Sequence, residues 1–571
     1  MIAPMTKYSF ILLKGEEGDF LTTLRDCGLV DITRESKPVD DRSSALLAEA
    51  GRRKAILPGA KAALAEADSK LEAARKEAEA VKAWGAFTEE DLARIDSAGL
   101  QFHWYEVPAK KFDSSWSELC PLEVIDEGKS VRFVTVTAKG EASPLPVKEI
   151  PAPKGDYASA METVAALEKE KDEAEAKLKA LEAEEDSLEK DYQKALSELD
   201  LYLAGVAAVP AADGTLSTFV GYAPSESDAA VTAVLDESGA FYLKEAASRE
   251  DNPPISFRNN RFVKMFEVLT DMYGRPAYDG FDPTPFIAVF FLLFFAFCMG
   301  DAGYGLVLIA IGFALKKVKG FSDMSPLVVT LGVGTFVIGF LFHTFFSIDI
   351  STWSIFAPIK KIFLPSKIAG YDGTMVLSLI VGVLHISLAM IVKTVEETRH
   401  KGFLHSLGTW GWTLLIVGGV AVGAFALTGV LDSAVTKWVI IGLGSLSAVG
   451  IFLLNDIRRN PLVNIGAGLW DTYNMASGLL GDVLSYLRLY ALGLAGSMLG
   501  MAFNSIGTMI LGDGHNIFLW IPFLLIVIVG HTLNIAMAAL GAFVHPLRLN
   551  FLEFFKNSGY EAAGRKYSPL K

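Results

Sequence analysis

Cysteine is nearly absent from this sequence: Cys27, Cys120 and Cys298 are the only three in 571 residues. No two form a C-x-x-C pair, so a disulfide framework and a zinc or thiol-redox motif both lack support. The first residues do not read as a signal peptide either. The one early apolar run, Phe10 to Leu13, is short, and Glu16, Glu17 and Asp19 follow at once. The first half of the chain is therefore expected in the cytoplasm. There is no basic excess: 52 Lys and Arg against 66 Asp and Glu leave a net charge of −14. That excludes a basic nucleic-acid binder. The most informative scarcity is local. Residues 1–260 hold 31 Lys and Arg with 49 Asp and Glu, a net of −18, whereas residues 261–571 hold 21 and 17, a net of +4. Half of the chain (51%) is hydrophobic and its mean hydropathy is +0.34. An acidic, water-soluble half is joined to a membrane half.

In the soluble half, residues 7–13 and 29–33 read as strands and 20–27 as a short amphipathic helix. From Ile56 the register changes. Leu57, Ala60, Leu64, Ala67, Leu71, Ala74, Ala78 and Val81 repeat at 3-4 spacing among charged positions, a heptad seam that stops at Gly85. A second seam runs through Val164, Leu167, Lys171, Ala174, Leu178, Leu181, Glu185, Leu188, Tyr192, Ala195 and Leu199. Lys171 and Glu185 are polar members that weaken it or set its register. Between the seams lie a strand at 131–136 and a Pro-rich linker at 143–154. A strand at 216–222 and a helix at 228–238 follow. Two seams around a folded insert predict an antiparallel coiled-coil hairpin. Its segments are 55–85 and 159–204, with a distal lobe at 88–157 and a proximal lobe from 1–50 and 206–260. At about 1.5 Å per residue the rod is roughly 45–60 Å long. Gly128-Lys-Ser130 resembles the end of a P-loop, but the motif's first glycine falls on Glu123, so nucleotide binding is rejected there.

The second half, 261–571, is read as an all-α transmembrane domain of eight spans: 284–299, 302–316, 326–346, 374–393, 408–430, 435–454, 472–511 and 516–550. The last two are too long to cross perpendicularly and must be tilted, kinked or partly outside the bilayer. Lys316, Lys317 and Lys319, then Lys393, Arg399 and Lys401, then Arg458 and Arg459, and the tail's Lys556, Arg565, Lys566 and Lys571 alternate with the loops 299–303, 428–434 and 512–516, which have no Lys or Arg. That asymmetry puts both termini in the cytoplasm. The longer loop 347–373 breaks the pattern with Lys360, Lys361 and Lys367.

A charge inside hydrocarbon is costly and points to function. Arg488 has no Lys or Arg between it and Arg459 or Arg548. Arginine stays protonated, so it is a fixed positive charge in a low-dielectric setting. An intrahelical pair with Asp482, six positions away, is poor because the two lie on different faces. Arg548 lies near the cytoplasmic end of the last helix, where snorkelling is the bland reading. Asp482, His545 and Glu553 are candidate polar steps of an ion path, each with a structural hydrogen-bonding role as the alternative; Ser485 and Tyr486 are further candidates, and Asn474 is a weaker one. His531 and Asn504 are weaker candidates. His343, His385 and His405 lack metal-ligand spacing and read as structural. No metal or other cofactor is expected.

Several stretches resemble subunit I (subunit a) of V-type and archaeal-type rotary ATPases. They are Met265 to Gly274, Asp282-Pro-Thr-Pro-Phe286, Gly300-Asp-Ala-Gly-Tyr-Gly305, Gly481 to Ala495, and Gly541 to Leu549. The resemblance implies a non-catalytic membrane stator with the ATP site on other subunits. Its implied partners are a rotating ring of c/K-type subunits, peripheral stalks of E and G subunits, the V1/A1 head reached through those stalks, and membrane lipid, with no nucleic acid. The family's essential arginine maps onto Arg488 and its second arginine onto Arg548. Asp282 and Asp301 match motifs read as structural. Where eukaryotic members carry further intramembrane glutamates, this chain has Asn474 and Ala538.

The alternative is a multi-pass secondary transporter with a cytoplasmic coiled-coil regulator. It predicts an internal repeat and broken helices at matching positions. A bare membrane tether is a third reading, and it leaves Arg488 without a role.

Overall fold

The computed structural model describes residues 1–571 except 36, 86, 129, 142, 152–156, 319, 353–362, 366, 369, 428–431, 455–459, 513–515 and 571. Lys319, Lys360, Lys361, Arg458, Arg459 and Lys571, used above for orientation, and Lys129 of the rejected P-loop lie outside the described residues, as does part of the 143–154 linker. The chain divides into two compact units. One comprises Leu13–Asp26 and Thr33–Ser217; the other comprises Met1–Leu12, Cys27–Ile32 and Thr218–Pro569.

Strand β1 (Met5–Leu13) leads to α1 (Glu17–Cys27) and the short β2 (Asp31–Ile32). Helix α2 (Asp41–Lys82) begins well before Ile56, where the heptad starts. Asp40 sets that start: its carboxylate accepts the Ser43 N–H at 2.7 Å, and the Ser43 hydroxyl answers the Asp40 amide. Helices α3 (Glu89–Ser97), α4 (Tyr157–Ala183) and α5 (Glu185–Val206) follow, the last two separated by a turn at Glu184 inside what the heptad reads as one run. α2 runs antiparallel to α4 and α5. Lys61 pairs with Glu182, Asp68 with Lys171 and Arg75 with Glu168, one number rising as the other falls. Leu71 and Ala78 bury against Val164. Lys171, a polar seam position, meets Asp68 at 2.6 Å, so it fixes the register between the helices. In the same unit β3 (Leu100–Pro108), β4 (Leu122–Glu127) and β5 (Ser130–Ala138) form an antiparallel sheet in the order β3-β5-β4. One face buries Tyr105, Val107, Val131 and Phe133, and Trp84, Trp104 and Val134 form a second cluster. The short β6 (Val209–Ala211) ends this stretch.

In the other unit, β7 (Leu216–Pro224) and β8 (Phe241–Ala246) flank α6 (Asp228–Ser238), and the sheet runs β2-β7-β1-β8. The C-terminal tail is tied to this sheet. Arg565 pairs with the fully buried Asp31 at 3.2 Å, and the Tyr567 hydroxyl donates to the Leu29 carbonyl. The short helices α7 (Arg261–Lys264) and α8 (Glu267–Tyr273) introduce the apolar region.

Among the described residues, six helical stretches are long and apolar enough to cross a membrane, and the chain is a membrane protein on that basis. They hold α11 (Ser325–Leu341), α12 (Gly373–Lys401), α13 (Leu407–Leu427), α14 (Ser433–Phe452), the run of α15 (Pro461–Ser485) with α16 (Leu487–Leu511), and α17 (Trp520–Arg548), which continues through a π-helical turn at Leu549–Phe554 into α18 (Phe555–Ser558). Two shorter apolar helices, α9 (Thr284–Met299) and α10 (Ala302–Leu315), precede them. Asp301 joins α9, α10 and α11. It caps α10 through the Tyr304 N–H at 3.1 Å and accepts the Phe346 and Ser347 amides at 2.9 and 2.6 Å. Those two amides belong to the tight connection that carries β9 (Thr344–Phe345) and β10 (Ile348–Asp349). A second two-residue pair, β11 (Lys367–Ile368) and β12 (Tyr371–Asp372), leads into α12.

Candidate functional site

The long apolar stretch from Leu462 to Leu511 is 50 residues, about 75 Å of helix against roughly 30 Å of hydrocarbon. It is not one straight rod. The Tyr486 N–H bonds the Val483 carbonyl, and the Leu489 N–H bonds the Tyr486 carbonyl. Both are i to i−3 bonds, a tightened turn that often marks a hinge. Arg488 lies within it, two residues after Tyr486. The antiparallel neighbour α17 carries an irregularity of its own. Pro546 removes one amide donor, and the wide turn Leu549–Phe554 follows Arg548 directly. Each arginine therefore adjoins a place where its helix leaves regular geometry.

Arg488 is partly buried, and its Nη1 is fully enclosed without a hydrogen-bond partner. Neither Arg488 nor the exposed Arg548 forms an ion pair or hydrogen bond with any described residue. Cys298 of α9 and His545 of α17 lie within the electrostatic reach of Arg488, and His545 also senses Arg548. His545 Nδ1, Asn550 Oδ1 and Glu553 Oε2 are further enclosed atoms with no partner. Buried polar groups are normally satisfied, so these four enclosed atoms are open to a partner from outside the described residues.

Glu553 is 4% exposed and lies beside the Ser485 hydroxyl, which also donates to the Gly481 carbonyl at 3.1 Å. Asp482 does not turn to Arg488. It meets Lys556 at 3.3 Å and accepts from Asn557 at 2.8 Å. Asn474 lines a cleft of about 390 Å³ with Lys393, Asp471, Asp482, Lys556 and Asn557. Tyr486 is fully buried and shares a 2.9 Å hydrogen bond with His385 Nδ1. His545 thus senses both arginines. Glu553 senses Arg548, and Ser485 and Asp482 act on it. Asn474 sits in the cleft that Asp482 lines, and the Tyr486 hydroxyl is engaged with His385.

A second cavity, about 190 Å³, opens on the opposite side of the Arg488 turn. Leu489, Tyr490, Gly493 and Ser497 of α16 line it with His343 and Asp372. Farther along, His531, Asn504, Tyr304 and Asn534 form a closed network. Asn504 donates to the Phe346 carbonyl, so its Oδ1 accepts from His531 Nε2 at 3.0 Å. His531 Nδ1 then accepts from the Tyr304 hydroxyl at 2.8 Å, and Asn534 donates to that hydroxyl at 2.7 Å. One neutral tautomer satisfies every bond, so the network locks α10, α16 and α17 together. Among the described residues, no group of three His, Cys, Asp or Glu could hold a metal ion.

Sequence reasoning did not find Lys556 and Asn557 as the partners of Asp482, nor His385 as the partner of Tyr486. The latter pair lies 101 positions apart, and no helical or strand period connects them.

Residues 213–354 match the model of the V-type ATPase 116kDa subunit family. The chain is similar to A-type ATP synthase subunit I of Methanocaldococcus jannaschii, with 29% identity over 58% of this chain and 50% of that protein. The corresponding protein of Pyrococcus horikoshii is 31% identical over 57% of this chain and 49% of its own length. V-type ATP synthase subunit I of Borreliella burgdorferi is 27% identical over 62% and 60%. The chain spans about half the length of most of these relatives. Of the stretches that carry the resemblance, Met265 to Gly274, Asp282 to Phe286 and Gly300 to Gly305 lie within the matched residues 213–354.

Proposed function

We propose that this chain is the membrane stator subunit of a V/A-type rotary ATPase or ATP synthase. The observation that carries the reading is the Arg488 guanidinium: a permanent charge with an enclosed, unpaired Nη1, on a helix whose outer surface is apolar and uncovered. Such a charge needs an anion, and none of the described residues pairs with it. A carboxylate on a separate ring of rotor subunits fits.

The physics follows from the cost of charge in lipid. A rotor carboxylate crossing hydrocarbon must be neutral, protonated or ion-loaded. Opposite Arg488 its ionised form is favoured, so its pKa falls and the ion leaves. Past the arginine it reloads from water on the other side. The fixed positive charge also prevents cations from passing directly between the two aqueous paths. Asp482, Ser485, Asn474, His545 and Glu553 lead from Arg488 towards the end of the bundle rich in Lys and Arg, the cytoplasmic half-channel. The cavity beside Tyr490, Ser497, His343 and Asp372 serves the opposite half. Arg548 faces the rotor from the neighbouring helix. Small exposed residues at Ala491 and Ala495, one and two turns beyond Arg488, let a rotor helix come close.

In this reading the chain crosses the membrane eight times with both termini in the cytoplasm. The antiparallel α2 and α4–α5 act as a coiled-coil strut that carries torque to E and G peripheral stalks, and through them to the V1/A1 head. ATP chemistry belongs to partner subunits. Protons are the default coupling ion, with sodium as the alternative. A cysteine at position 495 tests the contact. In the assembled complex, A495C should cross-link to a cysteine placed one turn from the rotor carboxylate. Intact complexes that never cross-link, at any rotor position, would contradict the reading.

A further inference from the structure

The two irregular turns beside the arginines meet on one side chain. His385 of α12 is fully buried. Its Nδ1 lies 2.9 Å from the hydroxyl of Tyr486, the residue at the centre of the tightened turn that carries Arg488. The same imidazole stacks on Phe554, the last residue of the wide turn after Arg548, with centroids 4.8 Å apart and planes 9° apart. Phe290 and Phe294 of α9 close over it at 4.2 and 5.1 Å. Gly382, one turn earlier on α12, makes room for the Tyr486 ring, because a Cβ there would collide with it. Both polar residues are fully enclosed, and His385 Nε2 has no partner. Burying an imidazole this way sacrifices one hydrogen bond. A leucine in the same apolar pocket would leave the buried Tyr486 hydroxyl without this partner, so the histidine is there for that bond as well as for packing.

We infer that His385 and Tyr486 form a positioning clamp that fixes Arg488 relative to Glu553. The proposal rests on the stator reading and adds to it a device that sets where the Arg488 guanidinium stands when the rotor carboxylate passes. The clamp acts through geometry. The hydroxyl-to-imidazole bond holds the tightened turn against α12, and the stacked Phe554 holds the Glu553 turn against the same ring. The charged groups that act on the Tyr486 hydroxyl are Glu553 and Asp482. Neither clamp residue carries the ion, and both are positioning residues.

The test uses the assembled complex in sealed vesicles, with nucleotide-driven ion uptake followed across pH. Tyr486→Phe keeps the ring and deletes only the hydroxyl. It should assemble and hydrolyse ATP, lower uptake by about tenfold, the scale of one net hydrogen bond, and displace the pH profile of uptake. His385→Leu should displace the profile in the same direction. His385→Gln, which keeps an amide within reach of the hydroxyl, should restore it in part. Wild-type uptake and an unmoved profile in assembled Tyr486→Phe would overturn the clamp. So would loss of assembly in both Tyr486→Phe and His385→Gln, which would make the pair a folding contact only. Arg488→Gln on the same membranes separates the two claims. If it abolishes uptake while the clamp variants are silent, the stator reading stands and the clamp falls. If it is silent too, the stator reading falls.

Discussion

Asp301 and Ser347 lie 46 positions apart, and the Ser347 amide donates to the Asp301 carboxylate across 2.6 Å. With the Tyr304 and Phe346 amides, that makes three backbone donors on one carboxylate that is 3% exposed. The motif Gly300-Asp-Ala-Gly-Tyr-Gly305 is thus a knot joining three helices. Asp301→Ala would strand three buried donors, each costing on the order of 1–3 kcal/mol. We predict a large fall in thermal midpoint in detergent, and a smaller one for Asp301→Asn, which keeps an acceptor oxygen.

Gly339 in α11 lies against the backbone of Asp301 and Ala302, where an added Cβ would collide. Close approach of this kind is how membrane helices gain packing energy. Gly339→Val should push α11 from α10 and cost on the order of 1–3 kcal/mol or more. Lower yield and a lower thermal midpoint are the expected readouts, with Gly419→Val, at a glycine with open space, as the silent control.

The tail anchors the sheet through charge. Asp31 is fully buried, and Arg565, about a third exposed, pairs with it. Arg565→Met leaves a buried carboxylate short of its cation. A fully buried pair broken in this way costs roughly 3–5 kcal/mol; the partial exposure of Arg565 should bring the loss below that range. The Ser568 amide still donates to Asp31 at 3.0 Å, which limits it further. Adding Asp31→Asn should recover part of the stability, and a double-mutant cycle on thermal midpoints measures the coupling.

Acid should weaken the same sheet at a defined place. The Lys7 ammonium, 2.7 Å away, and the Ser248 donors hold the Asp251 carboxyl down to about 2. A depressed acid stabilises the fold above its unfolded value near 3.9, and that stability is lost as pH falls towards about 2. Lys7 is shifted upward by Asp251 and Glu245, so its contribution is complete below 10.5 and fades only in strong alkali. Lys7→Met should therefore move the acid-unfolding midpoint to higher pH, read by circular dichroism across pH 5 to 2.

Much of this architecture is legible in the sequence because its signals are local. The 3-4 spacing through Leu71, Ala78 and Val164 marks helices that bury a common seam, and long apolar runs mark membrane-crossing helices. Boundaries are less legible where a cap overrides the pattern. Asp40 with Ser43 starts α2 before its heptad begins, and α15 begins at Pro461, ahead of the apolar window at 472. The strands β3 and β4 pair through a sheet whose partners are distant or bulged, and no single-strand pattern reveals them. At the site, the isolation of Arg488 is visible because charge in an apolar run needs no partner to be noticed. The Tyr486–His385 bond and the Asp482–Lys556 pair are invisible there, since each joins helices far apart in the chain.

The central claim is that Arg488 is the fixed charge against which an external carboxylate ionises. Nucleotide-driven ion uptake by vesicles carrying Arg488→Gln, with complex assembly checked on the same membranes, tests it directly. The account predicts normal assembly with uptake abolished. Unchanged uptake in an assembled complex would contradict it.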